Sequence, residues 1–309
     1  MNILIYGAGS LGLLFTRYLS KNHNVEIISK KVKKEAIEKN GLIFIKNSKK
    51  EILKPKLYTD IKETLLMPDF IILSVKSFDI DNSLSDISSF FKDIPVITIQ
   101  NGVYAESAAQ KKLGKENVLP AYVMIGSKTI NDYTIEEFLN EGMKIGYLSK
   151  DSNKKAEKIN GALNECGIKS VLSSNIMKQK WHKMMFYCAG ATLNSLTGTK
   201  ELEDENIKWM VKSVLNEITQ VAKSLNLDFD VESLSSDVFE FLMKFKPESW
   251  SASVGEDLRK GKKTEIDYLN GYIVKLAEKL NIEVPFNKSL TSMVKTIEKT
   301  GYFAAMNAK

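Results

Sequence analysis

The residues best placed to do chemistry in this chain stand at its start. Gly7-Ala8-Gly9-Ser10-Leu11-Gly12 is a G-x-G-x-x-G pattern that follows the apolar run Asn2–Tyr6 and opens the helical stretch Ser10–Ser20. Each glycine then has a separate job. Gly7 permits a tight turn, Gly9 lets the backbone approach a pyrophosphate, and Gly12 allows the helix to lie close on the strand. The unpaired N–H groups of the helix start, together with its dipole, favour an anionic diphosphate. Residues Gly7, Ala8, Gly9, Ser10, Leu11 and Gly12 are therefore read as a dinucleotide site. The competing reading is a purely structural glycine turn.

The end of the second strand selects the dinucleotide. An acidic residue there would accept from a ribose 2′-OH. Here Val25-Glu26-Ile27-Ile28 ends in Ser29-Lys30-Lys31, and Glu26 lies inside the strand. A hydroxyl and two ammonium groups suit a 2′-phosphate, so the expected cofactor is NADP(H), with Lys30 as a contact. The alternative leaves Lys30 and Lys31 as solvated side chains at a helix start.

Further segments carry a resemblance. They are Leu73-Ser74-Val75-Lys76, Gln100-Asn101-Gly102-Val103, Trp181-His182-Lys183, Thr264-Glu265-Ile266-Asp267-Tyr268-Leu269-Asn270-Gly271 and Val284-Pro285-Phe286-Asn287, with Ser253 twelve residues before Glu265. Over nearly its whole length the chain resembles the ketopantoate reductase (2-dehydropantoate 2-reductase) family. That resemblance implies NADPH-dependent reduction of a 2-oxo acid to a 2-hydroxy acid, ketopantoate to pantoate in pantothenate biosynthesis. It implies Lys183 and Glu265 as the catalytic pair, Asn101 beside cofactor and substrate, Lys76 near the cofactor, and Ser253 on the substrate carboxylate.

The chemistry is consistent with those roles. Hydride addition to a carbonyl carbon leaves negative charge on its oxygen, and an ammonium there can stabilise or protonate the alkoxide. A free lysine titrates near pH 10.4, so proton donation would benefit from a lowered pKa, whereas charge stabilisation would not. One departure stands out. Family members acting on ketopantoate typically carry asparagines one and two turns after the lysine, where this chain has Tyr187 and Ala191. At helical spacing, residues 183, 187 and 191 share one face. Replacing two amides with a phenol and a methyl changes the expected substrate wall, and lost polar partners can cost orders of magnitude in discrimination. A related dehydrogenase acting on another 2-oxo or imine substrate is thus an alternative, as is a non-enzymatic NADP(H)-binding sensor of the same fold.

The elements that must position these residues fall in two groups. The first half alternates apolar strands (Asn2–Tyr6, Asn24–Ser29, Asp69–Val75, Pro95–Gln100) with amphipathic helices, which predicts a Rossmann-type doubly wound parallel sheet. The stretches Val118–Ser127, Tyr133–Phe138 and Met143–Tyr147 predict an antiparallel extension, closed by helix Lys154–Cys166 and strand Ile168–Leu172. Helical stretches follow at Ile176–Leu196, Glu203–Leu225, Val231–Phe245, Thr264–Leu280 and Ser289–Lys299, with Pro247, Gly261 and Pro285 as punctuation. The expected domains are 1–174, binding NADP, and 175–309, an all-helical substrate and catalytic domain.

Composition narrows the function further. With 43% hydrophobic and 27% charged residues, the chain has ordinary globular content. Two cysteines and two histidines make no disulfide framework and give no metal-ligand spacing, so no metal is expected. The net charge of +6 includes one dense run, Lys30–Lys34, without interleaved aromatics, so no nucleic-acid partner is expected. No apolar run spans a bilayer, and the N-terminus lacks a signal-peptide pattern, so a cytoplasmic protein with no membrane partner is expected. The expected partner is a small-molecule 2-oxo acid, and the helical half is a candidate for homodimer contacts.

Overall fold

A computed structural model describes residues 1–198, 204–244 and 253–303. Contacts divide the chain into two units, Met1–Gln100 with Tyr104–Met177, and Asn101–Val103 with Lys178–Lys309. The chain passes to the second unit after Met177 but visits it once earlier, at Asn101–Val103, a visit that a single boundary at 174 does not contain.

In the first unit, β1 (Asn2–Tyr6), α1 (Ser10–Leu19), β2 (Asn24–Ile28), α2 (Lys31–Asn40), β3 (Leu42–Lys46), β4 (Lys49–Leu53), β5 (Lys56–Tyr58), β6 (Phe70–Leu73), α3 (Ile80–Phe90), β7 (Val96–Thr98), α4 (Tyr104–Leu113), β8 (Val118–Asn131), β9 (Thr134–Ile145), α5 (Asn153–Glu165) and β10 (Ser170–Leu172) follow in order. The sheet runs β4-β3-β9-β8-β7-β6-β1-β2-β5, with β10 on β9. From β8 to β5 every pairing is parallel, which is the Rossmann order, and it reverses around β1. Both faces are covered. Ile3, Ile5, Phe70 and Ile72 join Leu13 and Leu14 of α1, whereas the alternating residues Leu4, Tyr6, Ile71 and Leu73 join Leu84 of α3 and Ala109 of α4. Continuous apolar strands are what such double coverage requires.

The extension is antiparallel at β8–β9, but β9 also takes β3 and β10 in parallel. Two expected strands, Tyr133–Phe138 and Met143–Tyr147, are one strand, β9. The hairpin β3–β4 was not expected. Its two-residue turn, Asn47-Ser48, takes left-handed φ values of 49° and 63° without a glycine, so the usual turn signature is missing.

The second unit contains α6 (Ile176–Met185), a π-helix (Phe186–Ala191), α7 (Thr192–Thr197), α8 (Glu205–Lys223), α9 (Val231–Lys244), α10 (Ser253–Arg259), α11 (Asn270–Leu280) and α12 (Pro285–Thr300). Three expectations change here. The stretch 176–196 is interrupted by the π-helix. The helix expected from Thr264 begins only at Asn270, because the Thr264 hydroxyl accepts from Ile266 N at 3.2 Å and sets a separate 3-10 turn over Ile266–Tyr268. Pro285 opens α12 at its first position, where a missing N–H costs nothing. Glu203, Phe245 and Pro247 lie outside the described residues. Among the described residues, no helix is long and apolar enough to cross a membrane, and no cluster of His, Cys, Asp and Glu could hold a metal ion.

Glu26, fully buried in β2, accepts from the backbone N–H of Leu65 at 3.0 Å and of Leu66 at 3.3 Å, and from the Tyr58 hydroxyl at 3.2 Å. It ties the connection before β6 to the sheet. Glu26→Ala strands these donors, and a loss on the order of 1–3 kcal/mol is expected. Urea unfolding checks this through a lower midpoint at constant slope; an unchanged midpoint contradicts it.

Candidate active site

In the first unit, the turn after β1 sits where the strand order reverses. Gly7 has φ +115°, and a Cβ on it would stand 2.8 Å from Val75 N. A Cβ on Gly12 would overlap Gly7 O and Ser74 Oγ. Gly9 differs, since its Cβ would meet only Ser74 O, at 3.6 Å, an ordinary contact. Packing thus demands glycine at 7 and 12 but not at exposed Gly9, where the bare backbone leaves room for a group to approach. The start of α1 beside it has no side-chain cap and no acidic residue in its first turn. An uncapped helix start behind a bare backbone fits a diphosphate.

Ser74 and Gln100 hold this turn in shape. Ser74 Oγ donates to Gly7 O at 2.6 Å and Ser74 N donates to Tyr6 O at 2.9 Å. Gln100 Nε2 donates to Leu73 O at 2.7 Å and to Val75 O at 3.1 Å. Both residues belong to motif segments of the sequence, but only the structure gives them this role.

At the end of β2, the Ser29 hydroxyl donates to Lys30 O at 3.1 Å. Lys30 is 87% exposed in its side chain and stands 3.8 Å from Asp79, in the short turn Ser77–Asp79 that exposed Lys76 precedes. Lys31 stands equally loosely by Glu35 at 3.8 Å. Ammonium groups this exposed are held weakly by their carboxylates and are open to an anion. Glu26 is tied to its own loop by the bonds from Leu65 and Leu66.

In the second unit, Lys183 lies near the end of α6, half-buried, with Nζ 5.6 Å from the centroid of the Tyr187 ring. Burial, reinforced by the neighbouring charge of Lys180, brings its pKa down to about 7. Lys180 is itself only 3% exposed. Its effect on Lys183 had no sequence signal beyond a spacing of three. Around them Trp181, Met184 and Met185 are core. His182 pairs with Asp237 at 3.0 Å and lies against Phe186, a structural arrangement.

The segment Asn101–Val103 meets this helix. A Cβ on Gly102, whose φ is +78°, would stand 2.9 Å from Tyr268 O, 3.5 Å from Leu269 Cδ2 and 3.9 Å from Met184 Sδ. Gly102 therefore lets the backbone next to Asn101 lie between the helix bearing Lys183 and the turn that Glu265 begins. Glu265 and Asn101 are half-buried. Ser253 opens α10, which lies against α7: a Cβ on Gly255 would be 3.0 Å from Ser195 Oγ.

The π-helix alters the expected face. Its wider turn breaks the four-residue spacing, so 183, 187 and 191 no longer stack one above another. Tyr187 is half-buried next to Lys183, whereas Ala191 is 1% exposed, its carbonyl accepting from Ser195 Oγ at 2.7 Å.

Gly12→Ala is expected to lower the melting temperature by several degrees, and Gly9→Ala to leave it nearly unchanged, as differential scanning calorimetry would show. Equal losses in the two variants would contradict the division between packing and access.

Known proteins share both the sequence pattern and the fold. Residues 3–150 match the family model "Ketopantoate reductase PanE/ApbA", and residues 175–298 match "Ketopantoate reductase PanE/ApbA C terminal". The 2-dehydropantoate 2-reductase of Pyrococcus horikoshii is 28% identical, over 97% of this chain and 99% of that protein. Its counterpart from Pyrococcus abyssi is 29% identical over 96% and 97%. Among solved structures, a PanE/ApbA family ketopantoate reductase from Ralstonia eutropha JMP134 has a TM-score of 0.87 at 24% identity, covering 98% of this chain and 100% of that one. A D-mandelate dehydrogenase, in a ternary structure with NADH and anilino(oxo)acetate, has the same TM-score, identity and coverage. With one model matching most of the sheet unit and the other most of the helical part, this chain belongs to the ketopantoate reductase family.

Proposed function

We propose that this protein reduces a 2-oxo acid to the 2-hydroxy acid with NADPH, in the manner of a 2-dehydropantoate 2-reductase. The observation that carries the reading is Lys183, a partly buried lysine whose pKa of about 7 lets it hold or release a proton at neutral pH. A nicotinamide bound there would supply the hydride. Lys183 holds the carbonyl oxygen, offsets its growing negative charge and gives it a proton. Glu265, at the head of the neighbouring turn, orients the substrate and supports that proton transfer. Asn101 orients substrate and cofactor, and Ser253 donates to the carboxylate. Gly7–Gly12 receive the diphosphate at the start of α1, with Lys76 near the cofactor. Lys30 meets the 2′-phosphate. The buried commitment of Glu26 and the open lysines support NADPH over NADH.

Tyr187 favours a second reading, in which the oxo acid carries an aromatic or other bulky apolar group. A ring stands where the family typically carries an amide, and the fold is shared with a D-mandelate dehydrogenase. NADPH oxidation with ketopantoate, branched 2-oxo acids and phenylglyoxylate separates the two. Ketopantoate turned over best supports the first reading, phenylglyoxylate the second, and no turnover with any oxo acid overturns both.

The protonated lysine is the active form for reduction. kcat/KM should therefore be level below about pH 7 and fall about tenfold per pH unit above it. Lys183→Ala should lower kcat by about 10²–10⁴-fold, abolish that inflection and leave NADPH affinity within a few fold. A Lys183→Ala enzyme with near-normal kcat contradicts the assignment.

A further inference from the structure

The π-helix beside Lys183 leaves a polar group in need of a partner. Its last bond runs from Thr192 N–H to the Tyr187 carbonyl, five residues back. The α-helix that continues the chain returns to a four-residue step, which brings Leu193 N–H to Ala189 and passes over the Cys188 carbonyl. A buried carbonyl without a donor is costly, so a π-turn in a core persists only if something else supplies one.

That donor is Asn270, the first residue of α11. Fully buried, it donates through Nδ2 to Cys188 O at 3.1 Å across 82 residues of sequence. Its other Nδ2 hydrogen goes to Asn287 Oδ1 at 3.0 Å. The Thr192 hydroxyl lies 3.0 Å from both Asn270 Oδ1 and Tyr187 O and can donate to either. Asn287 is in turn fixed by Glu217, which accepts from its Nδ2 at 2.7 Å and its backbone N–H at 2.9 Å. The second Glu217 oxygen accepts from Phe286 N at 2.8 Å. The side-chain orientation of Asn270 is thereby set: its amide cannot turn over without facing one acceptor with another.

We propose that Asn270, held by Asn287 and Glu217, is a positioning residue for the reaction: its amide replaces the main-chain donor missing at Cys188 and so fixes the π-turn that aims Lys183 and Tyr187. Asn270 itself is fully buried, with its amide committed to Cys188, Asn287 and Thr192. Adding one residue to a helical turn rotates the N-terminal part of the helix by about 100° relative to the C-terminal part. Whichever agent selects π over α therefore sets the direction in which Lys183 leaves the helix, relative to α7 and α10. Asn270 lies five residues after Glu265 in the same conspicuous segment, so one stretch of chain supplies both the proposed acid partner of Lys183 and the clamp on the helix that carries it. The proposal rests on Lys183 acting in catalysis.

The test compares variants of the full-length protein under steady state with NADPH and the best oxo acid from the panel. Asn270→Ala should lower kcat at least tenfold while the KM for NADPH stays within twofold. Val294→Ala removes fully buried bulk from α12 without touching this relay. It should lower the melting temperature comparably and leave kcat within twofold. Thr192→Val keeps the side-chain shape and removes only the hydroxyl; it should lower kcat at least threefold, and it carries the test if Asn270→Ala does not fold. The proposal is overturned by a folded Asn270→Ala enzyme with kcat within twofold of wild type, or by a Val294→Ala enzyme that loses kcat as Asn270→Ala does. With Asn270→Ala unfolded, wild-type kcat in Thr192→Val overturns it as well. Unchanged kcat in Lys183→Ala would remove the underlying catalytic reading instead, so the two failures are distinguishable.

Discussion

A lysine whose partly buried surroundings disfavour its charge is the constraint on which the catalytic account depends. Desolvation and the proximity of Lys180 both act against the ammonium form of Lys183 and bring its pKa to about 7. In open water the same side chain would keep its proton until about pH 10.4 and would be a poor proton donor at neutrality. It stands on a helix where Trp181, Met184 and Met185 are core, with the Tyr187 ring beside its Nζ. In the same unit the carboxylate of Glu217 and the amides of Asn287 and Asn270 form a chain of satisfied hydrogen bonds.

The sheet unit meets a different requirement, the close packing of strand, turn and helix around a bare backbone. Gly7 and Gly12 are glycine because strand, turn and helix would otherwise collide, and Ser74 locks the turn by accepting that closeness and bonding Gly7 O. Gly9 is free of that demand, since a Cβ on it would make only an ordinary contact with Ser74 O. Pattern matching treats the three glycines alike, whereas the contacts of their missing Cβ atoms distinguish them.

Local physics made part of this legible. Continuous apolar strands bounded by turns revealed the parallel sheet, and the glycine spacing marked the turn where its strand order reverses. Long-range features were hidden. The β3–β4 hairpin turns on Asn47-Ser48 without a glycine, and its strand β4 is mostly charged. The π-turn cannot be seen in Phe186–Ala191, because the group that stabilises it is 82 residues away. A spacing of four then suggested one face for 183, 187 and 191, when the chain turns more widely there. Lys183 itself was visible only through resemblance, since a single helix lysine has no signature of its own.

Direct titration of Lys183 bears on the central claim most closely. NMR of lysine side chains labelled with ¹³C at Cε, assigned by difference against Lys183→Arg, would follow its ionisation in the folded protein. A midpoint near 7 is expected. A midpoint close to the ordinary value of about 10.4 would mean that the ammonium is hydrated and ordinary, and would contradict its role as the proton donor.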